Sequence, residues 1–319
     1  MREFVLAVDL GATKILLGIG PKDGTILSKK RLLTPSGDPA QVLDAIVNGA
    51  SQLMQDCGVS DKEITGIAVA TPGPLAYPEG IVRDSPNLNW KRVELKKELS
   101  QRWGRPVIVE KDTNMAVLGE YYYGHYAKSN HLLYITVSTG IGGGIVANGQ
   151  LYRGNIGGAG EVGHMVIDPG GRKCGCGRQG CLEALASGSA ISQQLDEIIN
   201  QGQGLAILAC TPPGQKPSAR ELGIAAREGD REASLLIAKI AEYLGIGVAN
   251  LVNIFSPGAV IFGGGVILGL KDLLLKPVRD YVYKNVFALN REELVIDCTE
   301  LGNDIVLYGC LAAVNKNYV

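Results

Sequence analysis

Residues 7–19 read AVDLGATKILLGI and residues 134–149 read YITVSTGIGGGIVANG. Each is an apolar strand, a polar glycine-bearing turn and a second apolar strand. Their recurrence at the scale of a domain indicates two α/β halves, each opening with a hairpin bent around such a turn. A cleft between the halves is the expected place for a ligand. Neither turn is a Walker loop, because no Gly-Lys-Ser/Thr follows and the next element is a strand. Neither is a dinucleotide fingerprint, which needs a helix after the glycines.

Outward from these hairpins, strands and helices alternate. A strand over Thr25–Leu33 is followed by a helix from Asp38-Pro39 to Cys57, with Val42, Leu43, Ile46, Ala50 and Leu53 on one face. A buried strand over Ile64–Ala70, a helix over Val93–Trp103, a short strand over Val107–Glu110 and a helix from about Thr113 complete the first half. The second half carries helices near Gly188–Asn200, Ala219–Arg227, Asp230–Phe255 and Lys271–Tyr283. Its strands lie at Val260–Phe262 and Leu294–Asp297, and a last helix starts near Asp304. The expected division is a smaller lobe of residues 1–118 plus 301–319 and a larger lobe of 119–300.

Composition narrows the function. The chain has 319 residues, 46% apolar and 20% charged, with a net charge of -1. That balance gives no footprint for nucleic acid. The apolar start is broken at Asp9, too early for a signal peptide, and no stretch reads as long enough to span a membrane. A cytoplasmic protein without membrane or nucleic-acid partners is expected. There are 43 glycines and no collagen-like period, so they mark tight turns and close backbone approach.

Five motifs carry chemistry. Asp9-Leu10-Gly11-Ala12-Thr13-Lys14 is either a plain hairpin turn or a phosphate cradle in which Asp9 holds a metal through water. Ser138-Thr139-Gly140 and the glycines after it could form a second cradle. Val260–Gly265 is either a strand-to-helix turn or a flat backbone platform for a ring such as adenine. Asp112 in Glu110-Lys111-Asp112-Thr113-Asn114 is either a helix N-cap or a general base.

The fifth is His164 with Cys174, Cys176 and Cys181. Three thiols and one imidazole are the ligands of a closed tetrahedral zinc site, hence a structural one. Cys57, Cys210, Cys298 and Cys310 are scattered and read as core residues.

Taken together, these residues resemble the ROK family (repressors, open reading frames and kinases) over nearly the whole chain. The most specific part is Gly157–Glu183, with E-x-x-H at Glu161–His164 and C-G-C-G-x-x-G-C-L-E at Cys174–Glu183. The resemblance implies an actin-like, ribonuclease-H-like fold with two lobes around a cleft that takes ATP and Mg²⁺. It implies that Asp112 is the base for a sugar 6-hydroxyl. It places Gly73, Asn87, Asn114, Glu161, His164 and Glu183 on sugar hydroxyls, with His164 using its second ring nitrogen for zinc.

The same resemblance sets the phosphates against Gly11, Ala12, Thr13 and Lys14 and against Thr139 and Gly140, with Gly264 and Gly265 under adenosine. Glucose is the expected hexose; kinases of N-acetylglucosamine, N-acetylmannosamine or several hexoses are the alternatives, and relatives suggest a homodimer or tetramer. A sugar-responsive repressor is the non-enzymatic alternative. It is disfavoured because the first phosphate motif begins at Asp9 and leaves no room for a DNA-binding module.

Overall fold

The protein is described from a computed structural model covering residues 3–21, 23–85, 88–127 and 129–316. The chain opens with strands β1 (Phe4–Leu10), β2 (Lys14–Pro21) and β3 (Ser28–Leu33). Helix α1 (Pro39–Cys57) and strand β4 (Ile64–Thr71) follow. A small meander of β5 (Leu75–Ala76), β6 (Ile81–Ser85) and β7 (Trp90–Val93) leads to α2 (Leu95–Trp103), β8 (Ile108–Lys111) and α3 (Asp112–Tyr123).

The pattern then restarts with β9 (Leu132–Val137), β10 (Ile141–Ala147) and β11 (Gln150–Leu151). After a glycine-rich segment come α4 (Leu182–Ala186), α5 (Gly188–Asn200), α6 (Leu205–Ala209), α7 (Ala219–Arg227) and α8 (Arg231–Phe255). The chain ends through β12 (Ala259–Gly263), α9 (Gly265–Gly269), α10 (Lys271–Asn285), β13 (Val295–Cys298) and α11 (Ile305–Asn315).

Two compact units result. One comprises Met1–Asn130, Gly144–Gly160 and Glu300–Val319; the other comprises His131–Gly143 and Glu161–Thr299. The division falls inside β10. The strand orders β3-β2-β1-β4-β8 and β11-β10-β9-β12-β13 follow the same scheme. In the first, β1 is antiparallel to β2 and parallel to β4, which is parallel to β8. In the second, β12 is parallel to both β9 and β13. The repeat read in the two hairpins therefore extends to strand order.

In the first unit the central strands are buried on both faces, which explains why β1 is apolar almost throughout. Neighbouring strand residues point to opposite faces. Accordingly, a Cβ on Gly49 of α1 would lie 2.8 Å from Leu17 of β2, and one on Gly18 of β2 would lie 2.9 Å from Leu307 of α11. Thus α1 covers one face and α11 the other. Helix α1 starts as its sequence dictates: Asp38 Oδ1 accepts from the Ala40 N–H at 2.9 Å and Pro39 fills the first helical position. Gly58 closes it in the left-handed conformation at φ 66°.

Helix α11 crosses α3 at backbone contact. A Cβ on Gly309 would sit 1.7 Å from the Met115 carbonyl oxygen, and one on Gly119 would sit 2.3 Å from that of Ile305. This crossing ties the end of the chain to the helix that starts at Asp112.

In the second unit, α8 is the central helix and packs against α4, α7 and α10. The sequence reading found no stretch of membrane-spanning length. With 25 residues and an 18-residue window of mean hydropathy 1.6, α8 does meet that test by length and composition. Yet 61% of its most apolar window is buried inside the unit, including Leu236, Ile240, Leu244, Val248 and Val252. It is a core helix.

Other differences are local. Residues expected to begin the helix at Val93 instead pair as β7 against β6. The strand expected from Thr25 starts at Ser28. Short helices α4, α6 and α9 and the β5–β7 meander carry too few residues for a period to be read.

Gly309→Ala should destabilise the protein by about 3 kcal/mol, because neither backbone can retreat from the added methyl. Gly269→Ala, where nothing lies within 4 Å of the new Cβ, should be close to neutral. Thermal denaturation of the two variants side by side checks this difference.

Candidate functional site

In the first unit the site grows from the ends of parallel strands. In the ladder, Asp9 lies opposite Ala70, and Ala70 opposite Glu110. Asp112 follows two residues later as the first residue of α3. Asp9 and Asp112 thus emerge at one edge of one sheet, beyond the carboxyl ends of its parallel strands, where open α/β sheets bind ligands.

They sense each other. Burial pushes the Asp9 carboxyl up to about 7, the Asp112 carboxylate pushes the same way, and Lys14 opposes both. Two carboxylates held together against their repulsion suit a cation between or beside them.

Asp112 is not the helix N-cap; that position belongs to Lys111, whose side chain makes no capping bond. The Asp112 Oδ1 instead accepts from the Thr113 N–H at 2.7 Å. At the amino end of a helix, the dipole and free amides favour the ionised carboxylate. The cap alternative raised by the sequence is therefore replaced by a carboxylate in the first helical turn.

The turn after Asp9 is fixed by two groups. Gly11 N–H donates to the Lys14 carbonyl at 2.9 Å, and Thr34 Oγ1 donates to the Gly11 carbonyl at 2.7 Å. With its carbonyls held, the turn leaves Ala12 and Thr13 exposed. Thr34 was not singled out from the sequence, since a lone threonine after β3 carries no signal.

Behind Asp112 lies a buried polar network. Glu110 Oε2 accepts from Arg153 Nε at 2.6 Å. Its Oε1 accepts from Asn114 Nδ2 and from the Lys111 N–H, both at 2.9 Å. The Arg153 guanidinium also stacks over Tyr77, 4.3 Å from the ring centre. Lys111 Nζ donates to the Ala159 carbonyl at 2.8 Å.

These bonds strap the segment carrying Arg153 and Ala159 to the strand that delivers Asp112. Asn114 is 1% exposed, so it stands behind Asp112 rather than on an open surface. Gly73 is half-buried, and a Cβ there would lie 3.4 Å from the Lys111 side chain. Asn87 lies outside the described residues.

In the second unit the four predicted ligands converge. The ligand atoms of His164, Cys174, Cys176 and Cys181 all lie within 4.8 Å of one another. Cys174 Sγ is 3.6 Å from His164 Nδ1, and Cys176 Sγ is 3.7 Å from Cys181 Sγ. A tetrahedral ion with bonds of about 2.3 Å to sulfur and 2.05 Å to nitrogen requires S···S and S···N edges of about 3.8 and 3.6 Å. These two edges match tetrahedral spacing, and the thiols are free rather than bridged.

Burial pushes the Cys181 thiol up to about 12, whereas hydrogen bonding by the Arg178 backbone and side chain draws Cys176 down to about 6. A metal would have to displace the Cys181 proton, which makes its binding pH-dependent. His164 turns Nδ1 toward the thiols, which leaves Nε2 on the far side of the ring.

Downstream of Cys181, which precedes α4 as its N-cap, Glu183 reaches the second glycine turn. Its Oε2 accepts from the Ile141 N–H at 2.9 Å. Thr139 is exposed, and Glu161 is exposed at the start of a short 3-10 turn ending at His164. Gly264, at φ 95°, turns the chain from β12 into α9, and Gly265 is exposed at that helix's first position.

The ROK family model matches residues 5–317. The glucokinase of Thermotoga maritima is 37% identical over 282 residues, covering 87% of this chain and 86% of its own. The xylose repressor of Caldicellulosiruptor bescii is 31% identical over 311 residues, 97% of this chain and 77% of its own. A solved ROK glucokinase from Streptomyces griseus, in complex with glucose and AMPPNP, superposes with a TM-score of 0.84 at 31% identity. That match covers 98% of this chain and 99% of the other. The chain belongs to the ROK family, and its fold is the actin-like, ribonuclease-H-like α/β fold.

The raised Asp9 pKa has a measurable consequence. Between the ordinary value of 3.8 and about 7, the folded protein holds a proton that the unfolded chain has lost. Stability contributed by this group therefore falls as pH rises through that window. Ligand-free Asp9→Asn should melt at the wild-type temperature near pH 4 and a few degrees above it at pH 8. A constant difference across that range would contradict the assignment.

Proposed function

We propose that this protein is an ATP-dependent sugar kinase that phosphorylates the 6-hydroxyl of a hexose, with glucose the first candidate. The observation that carries the proposal is the Asp9–Asp112 pair at the carboxyl edge of the first sheet. Membership in the ROK family, with glucokinases among the relatives, supports it.

In this reading Asp112 takes the proton from the sugar hydroxyl as the phosphoryl group transfers. Asp9 would hold Mg²⁺ through water, and the ion would neutralise charge on the phosphoryl oxygens. Gly11, Ala12, Thr13 and Lys14 hold phosphate oxygens on the first unit, as do Thr139 and Gly140 on the second. Gly264 and Gly265 lie under adenosine. Glu161, Glu183 and His164 Nε2 take sugar hydroxyls, together with Asn87 and Gly73. Asn114, fixed by Glu110, supports the start of the helix behind Asp112.

Zinc is the ion we assign to His164, Cys174, Cys176 and Cys181. Thiolates favour a soft ion, and four protein ligands leave no open position, so its role is structural. It would fix the His164 ring through Nδ1 and thereby aim Nε2. Zinc–thiolate ligation and seven free cysteines suit a reducing, cytoplasmic setting.

Because a xylose repressor is also among the relatives, turnover itself is the deciding property. ADP release should be measured with ATP and Mg²⁺ across glucose, N-acetylglucosamine, N-acetylmannosamine, mannose and fructose. Glucose should give the highest kcat/KM. Asp112→Asn should lower kcat by about 10²–10⁴-fold while sugar affinity changes little. Folded, metal-loaded protein that turns over none of these sugars would support a sugar-binding regulator instead. Elemental analysis should find one zinc per chain, lost in Cys181→Ser together with thermal stability.

A further inference from the structure

Glu183 is assigned above to a sugar hydroxyl, but its carboxylate makes a hydrogen bond that points elsewhere. Its Oε2 accepts from the Ile141 N–H at 2.9 Å, in the turn that holds Thr139 and Gly140. The contact is built into both partners. A Cβ on Gly140 would lie 2.5 Å from Glu183 Oε2, and among the described residues no side chain but that of Glu183, the glycine's chain neighbours aside, comes within 4 Å of that position. Gly140 has no positive φ. Its missing side chain is therefore explained by the room the carboxylate takes.

The same stretch of chain grips the turn at two more points. Gly188 N–H donates to the Ser138 carbonyl at 2.7 Å, and Ser189 N–H to the Thr139 carbonyl at 3.1 Å. A bond within the turn, from Ser138 N–H to the Gly140 carbonyl at 2.9 Å, closes it. Residues 183–189 thus hold the turn from Ser138 to Ile141 on both sides. Cys181, one of the four metal-site residues, caps the helix on which Glu183 stands.

We propose that Glu183 is a positioning residue for the phosphate turn as well as a sugar contact, so that one carboxylate sets nucleotide affinity from the sugar side. This rests on the kinase reading. A charge-assisted bond to one backbone N–H fixes the turn in the conformation that presents its remaining donors. A carboxylate has a second oxygen, so Oε1 can take a sugar hydroxyl while Oε2 stays on Ile141. Sugar and nucleotide then stabilise the same rotamer, and each tightens the other.

The test reads nucleotide binding with no sugar present, where a residue that only touches sugar has no effect. AMPPNP with Mg²⁺ is titrated calorimetrically into wild type, Glu183→Ala and Glu183→Gln, after zinc content and Tm are matched. Glu183→Ala should bind AMPPNP about tenfold more weakly. Glu183→Gln, whose amide oxygen still accepts from Ile141, should stay within about threefold of wild type.

Gly140→Ala should weaken AMPPNP in the wild-type background and add little in the Glu183→Ala background, where its clash is gone. If Glu183→Ala is too unstable to match, Gly140→Ala in the wild-type background still decides the matter, because its methyl would displace the Glu183 carboxylate. AMPPNP binding within about threefold of wild type would then overturn the bracing role. Unchanged or tighter AMPPNP binding in Glu183→Ala, where the wild type phosphorylates sugar, overturns the bracing role and leaves the kinase reading intact. Wild-type protein that binds no AMPPNP overturns both.

Discussion

Two carboxylates at one sheet edge set the terms for the first unit. The register of β1, β4 and β8 brings the ends of all three strands to one level, so Asp9 and Asp112 stand at the same end of the sheet. Burial and mutual repulsion hold Asp9 partly protonated near neutral pH, and Lys14 offsets only part of that cost. A group that stores this much electrostatic strain is poised to accept a cation or a proton. Much around it serves to keep the pair in place. Thr34 pins the turn after Asp9, Glu110 and Arg153 fix the strand end before Asp112, and α11 locks the helix after it.

The glycine-rich stretch between β11 and α4 raises a different problem. It has few apolar side chains to bury, so it cannot order itself by packing. Its first part is held on the first unit by Arg153 and Lys111. Its later part, in the second unit, is organised by the His164–Cys181 quartet, whose donor atoms all lie within 4.8 Å of one another. Of the side chains proposed to meet sugar, Glu161 and His164 belong to that organised part, and Glu183 follows it in α4. Precision that other proteins draw from a packed core is drawn here from polar staples and a metal-ligand cluster.

How much of this was legible in the sequence varies with the kind of signal. The two hairpins, α1 with its Asp38-Pro39 start, and α8 followed from apolar period and capping chemistry, which act over neighbouring residues. The quartet was legible because metal chemistry demands particular residue types close in sequence. The Glu110–Arg153 pair was not, since its members lie 43 residues apart and only the fold brings them together. Thr34 and the Glu183–Ile141 bond escaped for the same reason: a backbone carbonyl or N–H has no letter of its own. Asp112 was ambiguous between cap and base because both uses place a carboxylate at a helix start, and the geometry at Lys111 removes only the cap reading.

The central claim is that this chain moves a phosphoryl group from ATP to a hexose hydroxyl. Phosphorus NMR of the protein with ATP, Mg²⁺ and glucose tests it most directly, because it identifies the bond that forms. The account predicts a new phosphomonoester resonance whose coupling to the C6 protons marks the 6-position, growing in step with ADP. Inorganic phosphate as the sole new species, or no change in the ATP resonances beside an intact metal site, would contradict it.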